Sequence, residues 1–267
     1  MRVATIGGLR VHWQEDGDPG GVPVVFANSL GTDLRVWDAL LPLLPPGLRI
    51  IRYDLRGHGL TDAPEGEYYM GDLVGDVAGL IDQLRLGPVI FVGLSIGGVI
   101  AQGLAAERPD LVRAAVLSNT AAKIGTEASW RERIAAIRSG GIASIADSIL
   151  EKWFPRRYRI AEPEQLAIWR NMLTRTPVGG YVGCCAALAE TDLRDSTAAL
   201  RLPVLAVAGS LDGSTPPDLV RETAESIPGS KFAIIGNTGH IPCVDAPGML
   251  AKIVAEFLTA QDLIPRR

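Results

Sequence analysis

The chain has few cysteines, few histidines, little net charge and no apolar run long enough to span a membrane. Its three cysteines are Cys184, Cys185 and Cys243, an odd number whose spacing fits neither a disulfide framework nor a metal site. We therefore expect reduced thiols and no bound metal. The net charge of -4 provides no basic field for nucleic acid or an anionic membrane. Because no basic leader precedes an apolar segment, a cytoplasmic protein is expected.

Apolar residues make up 47% of the 267 residues, enough for the core of one α/β domain. Short apolar runs alternate with helical patterns, which predicts a mostly parallel eight-stranded sheet covered by helices on both faces. Residues 2–6 and 9–14 flank Gly7-Gly8 and predict an antiparallel hairpin at one edge of the sheet. Further strands are predicted in the run that begins at Val89 and at 22–27, 48–53, 113–119, 203–208 and 231–235.

The alternation of strands and helices stops between Thr120 and Leu202, where helical patterns occur without an evident strand. Four helices are predicted there, around 130–137, 142–153, 163–173 and 180–190. They follow the sixth strand at the ligand-binding end of the predicted sheet. We therefore predict a helical cap of residues 121–202, inserted between strands six and seven of a core domain formed by residues 1–120 and 203–267.

The run from Val89 leads directly into Gly93-Leu94-Ser95-Ile96-Gly97 and then into a helical pattern rich in glycine and alanine. A strand, a sharp turn at Gly-x-Ser-x-Gly and a helix form a nucleophile elbow, in which a strained turn lifts the serine hydroxyl above the sheet. Ser95 is the predicted nucleophile. A glycine-rich turn in which Ser95 merely caps the helix is the alternative for the motif taken by itself.

Two more strand ends carry an acid and an imidazole, because Asp212 follows the strand at 203–208 and His240 follows the strand at 231–235. A serine hydroxyl is a weak nucleophile near neutral pH, so it needs a base, and the base needs a carboxylate to fix its tautomer. The order along the chain is serine, aspartate, histidine, as the elbow motif requires. Asp212 and His240 are the predicted acid and base.

Other residues compete for these two roles. His58 is the rival base, although its glycine-rich turn favours a structural use, and His12 lies in the predicted outer hairpin. The alternative acids are placed less well, on predicted helices or in the cap: Asp218, Glu222 and Asp195.

Charge develops on the carbonyl oxygen during acyl transfer, so fixed N–H donors are required near the nucleophile. The backbone N–H of Ile96, the residue after the nucleophile, is the first candidate. The loop that follows the strand at 22–27 provides the second, with the Leu30 N–H as the predicted donor.

These residues and their settings resemble the α/β-hydrolase superfamily over essentially the whole chain. Within it, four stretches resemble the 3-oxoadipate enol-lactonases: residues 26–33 (FANSLGTD), 119–126 (NTAAKIGT), 183–187 (GCCAA) and 240–244 (HIPCV). The resemblance implies hydrolysis of the enol-lactone to 3-oxoadipate through an acyl-enzyme, without a cofactor, in the β-ketoadipate pathway of bacterial aromatic catabolism. The expected partner is this small lactone, and the oligomeric state stays open, a homo-oligomer included.

The lactone carries a free carboxylate, so a cation is expected near Ser95. Arg133 is the predicted ligand, because it lies one helical turn after Trp130, and together they would present a charge and an apolar wall to one cavity. The alternative cations are Arg56, Arg35 and Lys123.

The same residues also fit other activities. A carboxylesterase, a carbon–carbon bond hydrolase and a cofactor-free perhydrolase share this set of groups. A ligand-binding receptor that keeps a vestigial triad is the alternative outside enzymes, and little turnover would identify it.

Overall fold

The computed structural model describes residues 1–264, and its strands form a single sheet. The strands are β1 (Arg2–Ile6), β2 (Leu9–Gly17), β3 (Val22–Ala27), β4 (Leu48–Tyr53), β5 (Val89–Leu94), β6 (Val112–Ser118), β7 (Val204–Gly209) and β8 (Lys231–Ile235). Their order is β1-β2-β4-β3-β5-β6-β7-β8. β2 pairs antiparallel with β1 and with β4, and all other neighbours are parallel. The predicted α/β class with a mostly parallel eight-stranded sheet is confirmed.

The predicted hairpin forms the edge of this sheet. Gly7 and Gly8 have φ values of 55° and 91°, which a two-residue hairpin turn requires and which residues with side chains rarely adopt. β2 extends beyond its predicted end at Gln14 because its last residues pair with β4. These residues are polar and are held by ion pairs such as Arg49–Glu15 at 2.7 Å, so the hydrophobic pattern did not reveal them.

The α-helices of the described residues are α1 (Met70–Leu84), α2 (Ile96–Glu107), α3 (Glu127–Gly140), α4 (Ala146–Trp153), α5 (Arg156–Ala161), α6 (Pro163–Thr174), α7 (Val178–Glu190), α8 (Arg194–Ala198), α9 (Pro217–Ser226), α10 (Pro242–Asp245) and α11 (Pro247–Ala260). α1 begins at Met70 rather than at the predicted Asp72, because the Asp72 carboxylate accepts a hydrogen bond of 2.8 Å from the N–H that precedes the helix. Its predicted apolar face is buried at Leu73, Val77 and Leu80.

Helices cover the sheet on both faces. α1, α2, α8 and α9 form one connected layer, in which α2 packs against β3, β5 and β6 and α9 packs against β7 and β8. α11 contacts β8 and the 3-10 turn at Leu41–Leu43 instead. Every residue of the interior strands β5 and β7 is buried, on whichever face its side chain lies. Continuous burial of this kind occurs where a parallel sheet has no solvent-exposed face.

Six of the helices, α3 to α8, lie between β6 and β7, and no strand interrupts that described segment. The predicted number of four was wrong. Gly141 adopts a φ of 71° and ends α3, and the pattern predicted over 142–153 starts as a 3-10 turn at Ile142–Ser144 before α4 begins. α5 and α8 span only 6 and 5 residues, too few to show a helical period in the sequence.

The division into a cap of residues 121–202 and a core of residues 1–120 and 203–267 stays a prediction, and residues 265–267 of that core lie outside the described part. In residues 1–264, none of the helices has the length and apolar character needed to cross a membrane.

Candidate active site

The turn between β5 and α2 holds Ser95 in a strained conformation. Its φ is 57° and its ψ is -118°, a backbone region that residues with side chains rarely adopt. Two glycines make the turn possible: a Cβ on Gly93 would lie 2.2 Å from the Gly97 carbonyl oxygen, and one on Gly97 would lie 2.2 Å from the Ala27 carbonyl oxygen. The predicted elbow geometry is therefore present, with the serine at its apex.

The ends of β7 and β8 bring Asp212 and His240 together. His240 Nδ1 lies 2.8 Å from Asp212 Oδ2, and both side chains are buried. Because a carboxylate only accepts, Nδ1 donates the proton, which leaves Nε2 with a lone pair. This is the tautomer that a general base needs to take a proton from a serine hydroxyl.

Asp212 is held as a carboxylate by several donors. Its Oδ1 accepts from the N–H groups of Ser214 and Thr215 at 2.7 and 3.0 Å. Its Oδ2 accepts from the Asn119 amide at 2.9 Å and from the Thr215 hydroxyl at 2.7 Å. Burial opposes ionisation, but the attraction of His240 and these hydrogen bonds outweigh it, so the pKa of Asp212 lies below its ordinary value.

Sequence reasoning missed the roles of Asn119 and Thr215. Asn119 directly follows β6, so it lies at the carboxyl end of the strand that neighbours β7. Its φ is 50°. Its place at a strand end next to that of Asp212 is the signal that could have identified it.

The competing acids and histidines lie elsewhere. Asp218, Glu222 and Asp195 are exposed. His12 Nδ1 lies 2.7 Å from Asp54 in the outer part of the sheet. His58 is fully buried and accepts a hydrogen bond from the Gly31 N–H at 2.9 Å.

The predicted oxyanion donors belong to two different segments of the chain. Leu30 follows β3 and lines the same cavity as Ser95, and Ile96 is the first residue of α2. Neither N–H has a hydrogen-bond acceptor within residues 1–264. The Ile96 N–H lies at the N-terminus of α2, where such groups are available to a negatively charged oxygen.

Ser95, His240 and Leu30 line one cavity of about 350 Å³ beneath the helices between β6 and β7. The Ser95 hydroxyl and His240 Nε2 share this cavity, and no hydrogen bond joins them in the described structure. The C-terminal end of α4 fixes this region to the core, since the Lys152 and Trp153 carbonyls accept from the N–H groups of Gly213 at 3.2 Å and His240 at 2.8 Å.

The predicted substrate contacts line the same cavity. Trp130 is anchored by a 2.6 Å hydrogen bond from its indole N–H to the Ile124 carbonyl. The Arg133 guanidinium carbon lies 4.7 Å from the centre of the Trp130 ring, and no carboxylate among the described residues pairs with it. Beside it, burial raises the pKa of Tyr181, and the guanidinium acts in the opposite direction. Arg133 is thus a cation facing the cavity without an acidic partner.

The three alternative cations are paired with acids away from this cavity. Arg56 contacts Asp76 at 2.6 Å, Arg35 contacts Asp33 at 2.6 Å, and Lys123 contacts Asp192 at 3.0 Å: these are ordinary ion pairs. Lys152, which sequence reasoning missed, is an exposed cation at the cavity rim, with its stem packed on Gly213.

The model of the alpha/beta hydrolase family matches residues 24–253. The chain belongs to the alpha/beta hydrolase family. It is 34% identical to 3-oxoadipate enol-lactonase 2 of Acinetobacter baylyi over 224 residues, which is 84% of each protein. It matches the crystal structure of an enol-lactonase from Burkholderia xenovorans with a TM-score of 0.94 and 35% identity, over 97% of this chain and 100% of that one.

The structural relatives also include an esterase. A thermophilic esterase from Thermogutta terrifontis matches with a TM-score of 0.91 and 26% identity, over 97% of this chain and 99% of that one. Membership of the family therefore establishes a hydrolase fold, and the choice of substrate depends on the residues that line the cavity.

The thiols of this hydrolase lie outside the cavity lining. Cys184 and Cys185 are fully buried in α7, and Cys243 is buried in α10. Burial raises the pKa of all three thiols, that of Cys185 to about 12. Protonated, inaccessible thiols are poor nucleophiles and poor metal ligands.

Asp245 supports the loop of His240 at a cost to stability. Its Oδ2 accepts from the Gly239 N–H at 2.9 Å, whereas its Oδ1 is buried and has no hydrogen-bond partner among the described residues. Burial outweighs the Gly239 hydrogen bond and raises the pKa of Asp245 to about 6. Because the folded value exceeds the unfolded one, this group favours folding most at low pH, and that contribution is lost as the pH rises through about 6.

Asp245→Asn is therefore expected to stabilise the hydrolase at about pH 8 by roughly 2 kcal/mol, because the amide still accepts from Gly239 and never ionises. The difference should shrink towards about pH 4, where the wild-type carboxyl is largely protonated. Urea unfolding at both pH values measures it. A variant that is less stable than wild type at the higher pH would contradict this explanation.

Proposed function

We propose that this hydrolase opens 3-oxoadipate enol-lactone to 3-oxoadipate in the β-ketoadipate pathway of aromatic catabolism. The observation that carries the proposal is the cavity in which Ser95 and His240 lie together with Arg133, a cation that has no acidic partner in residues 1–264. An enol-lactone that bears a carboxylate matches this pairing of nucleophile and cation. The enol-lactonases among the relatives support the same substrate.

The proposed reaction begins with attack of the Ser95 hydroxyl oxygen on the lactone carbonyl carbon while His240 Nε2 takes the hydroxyl proton. Negative charge develops on the carbonyl oxygen, where the N–H groups of Leu30 and Ile96 would stabilise it. The ring carbon–oxygen bond then breaks, and the leaving enolate takes the proton that His240 Nε2 had accepted. His240 is then neutral again, and the resulting enol becomes a ketone. Because an enol is a good leaving group, this step needs little acid assistance.

Water completes the cycle. His240 removes a proton from one water molecule, the resulting hydroxide attacks the acyl carbon, and the bond to the Ser95 oxygen breaks as the serine regains its proton. One water is consumed for each lactone, and a dicarboxylate is released. Asp212 would stabilise the imidazolium in both halves of the reaction.

The test compares freshly generated enol-lactone, followed by loss of its ultraviolet absorbance, with p-nitrophenyl acetate, which has no carboxylate. A charge-assisted contact with Arg133 alone should favour the lactone by about 10- to 100-fold in kcat/KM. A preference for the acetate would replace the lactone with simple esters as the substrate class. Absence of turnover on both would favour the ligand-binding receptor.

Arg133→Met is expected to raise KM for the lactone by about 10- to 100-fold, with a much smaller effect on p-nitrophenyl acetate. Methionine keeps an unbranched apolar stem beside Trp130 and removes the guanidinium with its charge. Arg131→Met is the matched control, because Arg131 lies on the same helix and pairs at the surface with Glu67 at 2.9 Å and Glu190 at 3.1 Å. Equal losses on both substrates would mean that the cavity wall, and not a carboxylate contact, was damaged.

A further inference from the structure

His58 is a buried histidine that the proposed reaction does not use. It lies in the turn after β4, is 0% exposed, and makes two hydrogen bonds. Its Nε2 accepts from the Gly31 N–H at 2.9 Å, and its Nδ1 lies 3.1 Å from the Arg56 carbonyl oxygen. Because a carbonyl oxygen only accepts, Nδ1 carries the proton and Nε2 carries the lone pair. The surroundings therefore select one neutral tautomer.

The environment also excludes the charged form. Burial lowers the pKa of His58, and the nearby carboxylates of Asp54 and Asp33 offset only part of this effect. A protonated Nε2 would direct its N–H at the N–H of Gly31, and two donors cannot satisfy each other. The imidazole is consequently a fixed acceptor for a single backbone group.

That backbone group lies next to a predicted oxyanion donor. We define the oxyanion loop as residues 28–32. The Gly31 N–H belongs to the peptide that follows Leu30, and only the φ and ψ rotations of Leu30 separate it from the Leu30 N–H. Fixing the direction of the Gly31 N–H therefore restricts the direction in which the Leu30 N–H can point.

The loop is confined on its other side as well. Gly31 has a φ of 80°, and a Cβ at this position would lie 2.5 Å from Leu173 Cδ1 in α6 and 3.0 Å from the Tyr181 ring in α7. The turn that carries His58 is equally fixed, since a Cβ on Gly57 would lie 2.3 Å from the Cα of Gly180. Both partners of the hydrogen bond are thus held by the helices above the sheet.

We propose that His58 is a positioning residue that aims the Leu30 N–H at the developing oxyanion through its hydrogen bond to Gly31. This inference rests on the proposed acyl transfer at Ser95. It holds for any ester, lactone or phosphonate that reacts there, and so does not depend on the lactone being the natural substrate.

The test uses His58→Leu, which removes the acceptor, and His58→Gln, whose amide can accept from Gly31 and donate to the Arg56 carbonyl. Complete loss of an oxyanion donor costs about 100- to 1000-fold in kcat, so a misdirected donor should cost about 10- to 100-fold. We expect this loss in His58→Leu with KM nearly unchanged, and recovery of most of it in His58→Gln. The rate at which a fluorophosphonate modifies Ser95 should follow the same order.

His12→Gln is the matched control, because His12 is buried, bonds to Asp54 and, within residues 1–264, makes no hydrogen bond to the oxyanion loop. Its kcat should remain close to that of the wild type. A rise in KM with unchanged kcat in His58→Leu, or equal losses of kcat in His58→Leu and His58→Gln, would overturn the proposal.

A spectroscopic measurement covers the case in which His58→Leu does not fold. Nitrogen-15 NMR of the wild type should show His58 protonated at Nδ1 and unprotonated at Nε2, with the Gly31 amide signal shifted in His58→Gln. A cationic His58 at neutral pH, or the opposite tautomer, would overturn the proposal. If the wild type does not hydrolyse the lactone but the fluorophosphonate modifies Ser95 at the expected rates, the proposed substrate is rejected and the role of His58 is retained.

Discussion

Ser95→Ala and Ser95→Gly are each expected to lower kcat by roughly 10⁴- to 10⁶-fold, because each removes the proposed nucleophile. The change should lie in kcat and not in KM, since the cavity that binds the substrate keeps its other walls. Steady-state kinetics on the lactone and on p-nitrophenyl acetate measure the loss.

The two variants differ in what they do to the backbone. With a φ of 57° and a ψ of -118°, residue 95 is strained for any residue that carries a Cβ. Glycine relieves that strain, so Ser95→Gly should be more stable than the wild type by about 1 kcal/mol or more. Thermal unfolding thus separates loss of chemistry from loss of fold. Turnover within tenfold of the wild type in either variant would refute the assignment of Ser95.

Asp212→Asn is expected to lower kcat by roughly 10³- to 10⁴-fold at neutral pH. In the wild type, both oxygens of the Asp212 carboxylate accept hydrogen bonds. Oδ2 accepts from His240 and Asn119, and Oδ1 accepts from two backbone N–H groups. An asparagine must direct its own NH2 group at one of these two sets of donors. If it faces His240, Nδ1 can no longer donate to it, and the imidazole is driven to the tautomer that cannot act as a base.

Asp218→Asn provides the matched control, because Asp218 lies in the first turn of α9, is exposed, and makes no hydrogen bond to His240. Its turnover should equal that of the wild type within a factor of about 2, since exposed substitutions of this kind have little effect. Similar kinetics for the two variants would remove Asp212 from the proposed mechanism.

The fold could be predicted largely because its signals are local. Apolar runs such as Val89–Leu94 and the glycines around Ser95 reveal a strand and its turn within a few residues. The helices between β6 and β7 were harder to predict, because α5 and α8 are short and depend on contacts with the rest of the chain. A helical period in the sequence carries no information about such elements.

Some residues of the candidate site could likewise be predicted from local sequence, and some of its contacts could not. Asp212 and His240 could be selected because each follows a strand, and parallel strands bring their carboxyl ends to one edge. The sequence could not show which cations are free, because the partners of Arg56 and Lys123 are 20 and 69 residues away along the chain. It also could not show that His58 bonds to the loop after β3, since that contact arises only when the sheet has formed.

The most direct test of the central claim is titration of the protein with a fluorophosphonate while lactone turnover and covalent labelling are measured together. If Ser95 is the nucleophile, turnover should fall in proportion to labelling and reach zero at one label per chain. Peptide mass analysis should place that label on Ser95, and Ser95→Ala should take up none. Full labelling of Ser95 with turnover retained, or complete inactivation with the label on another residue, would contradict the account.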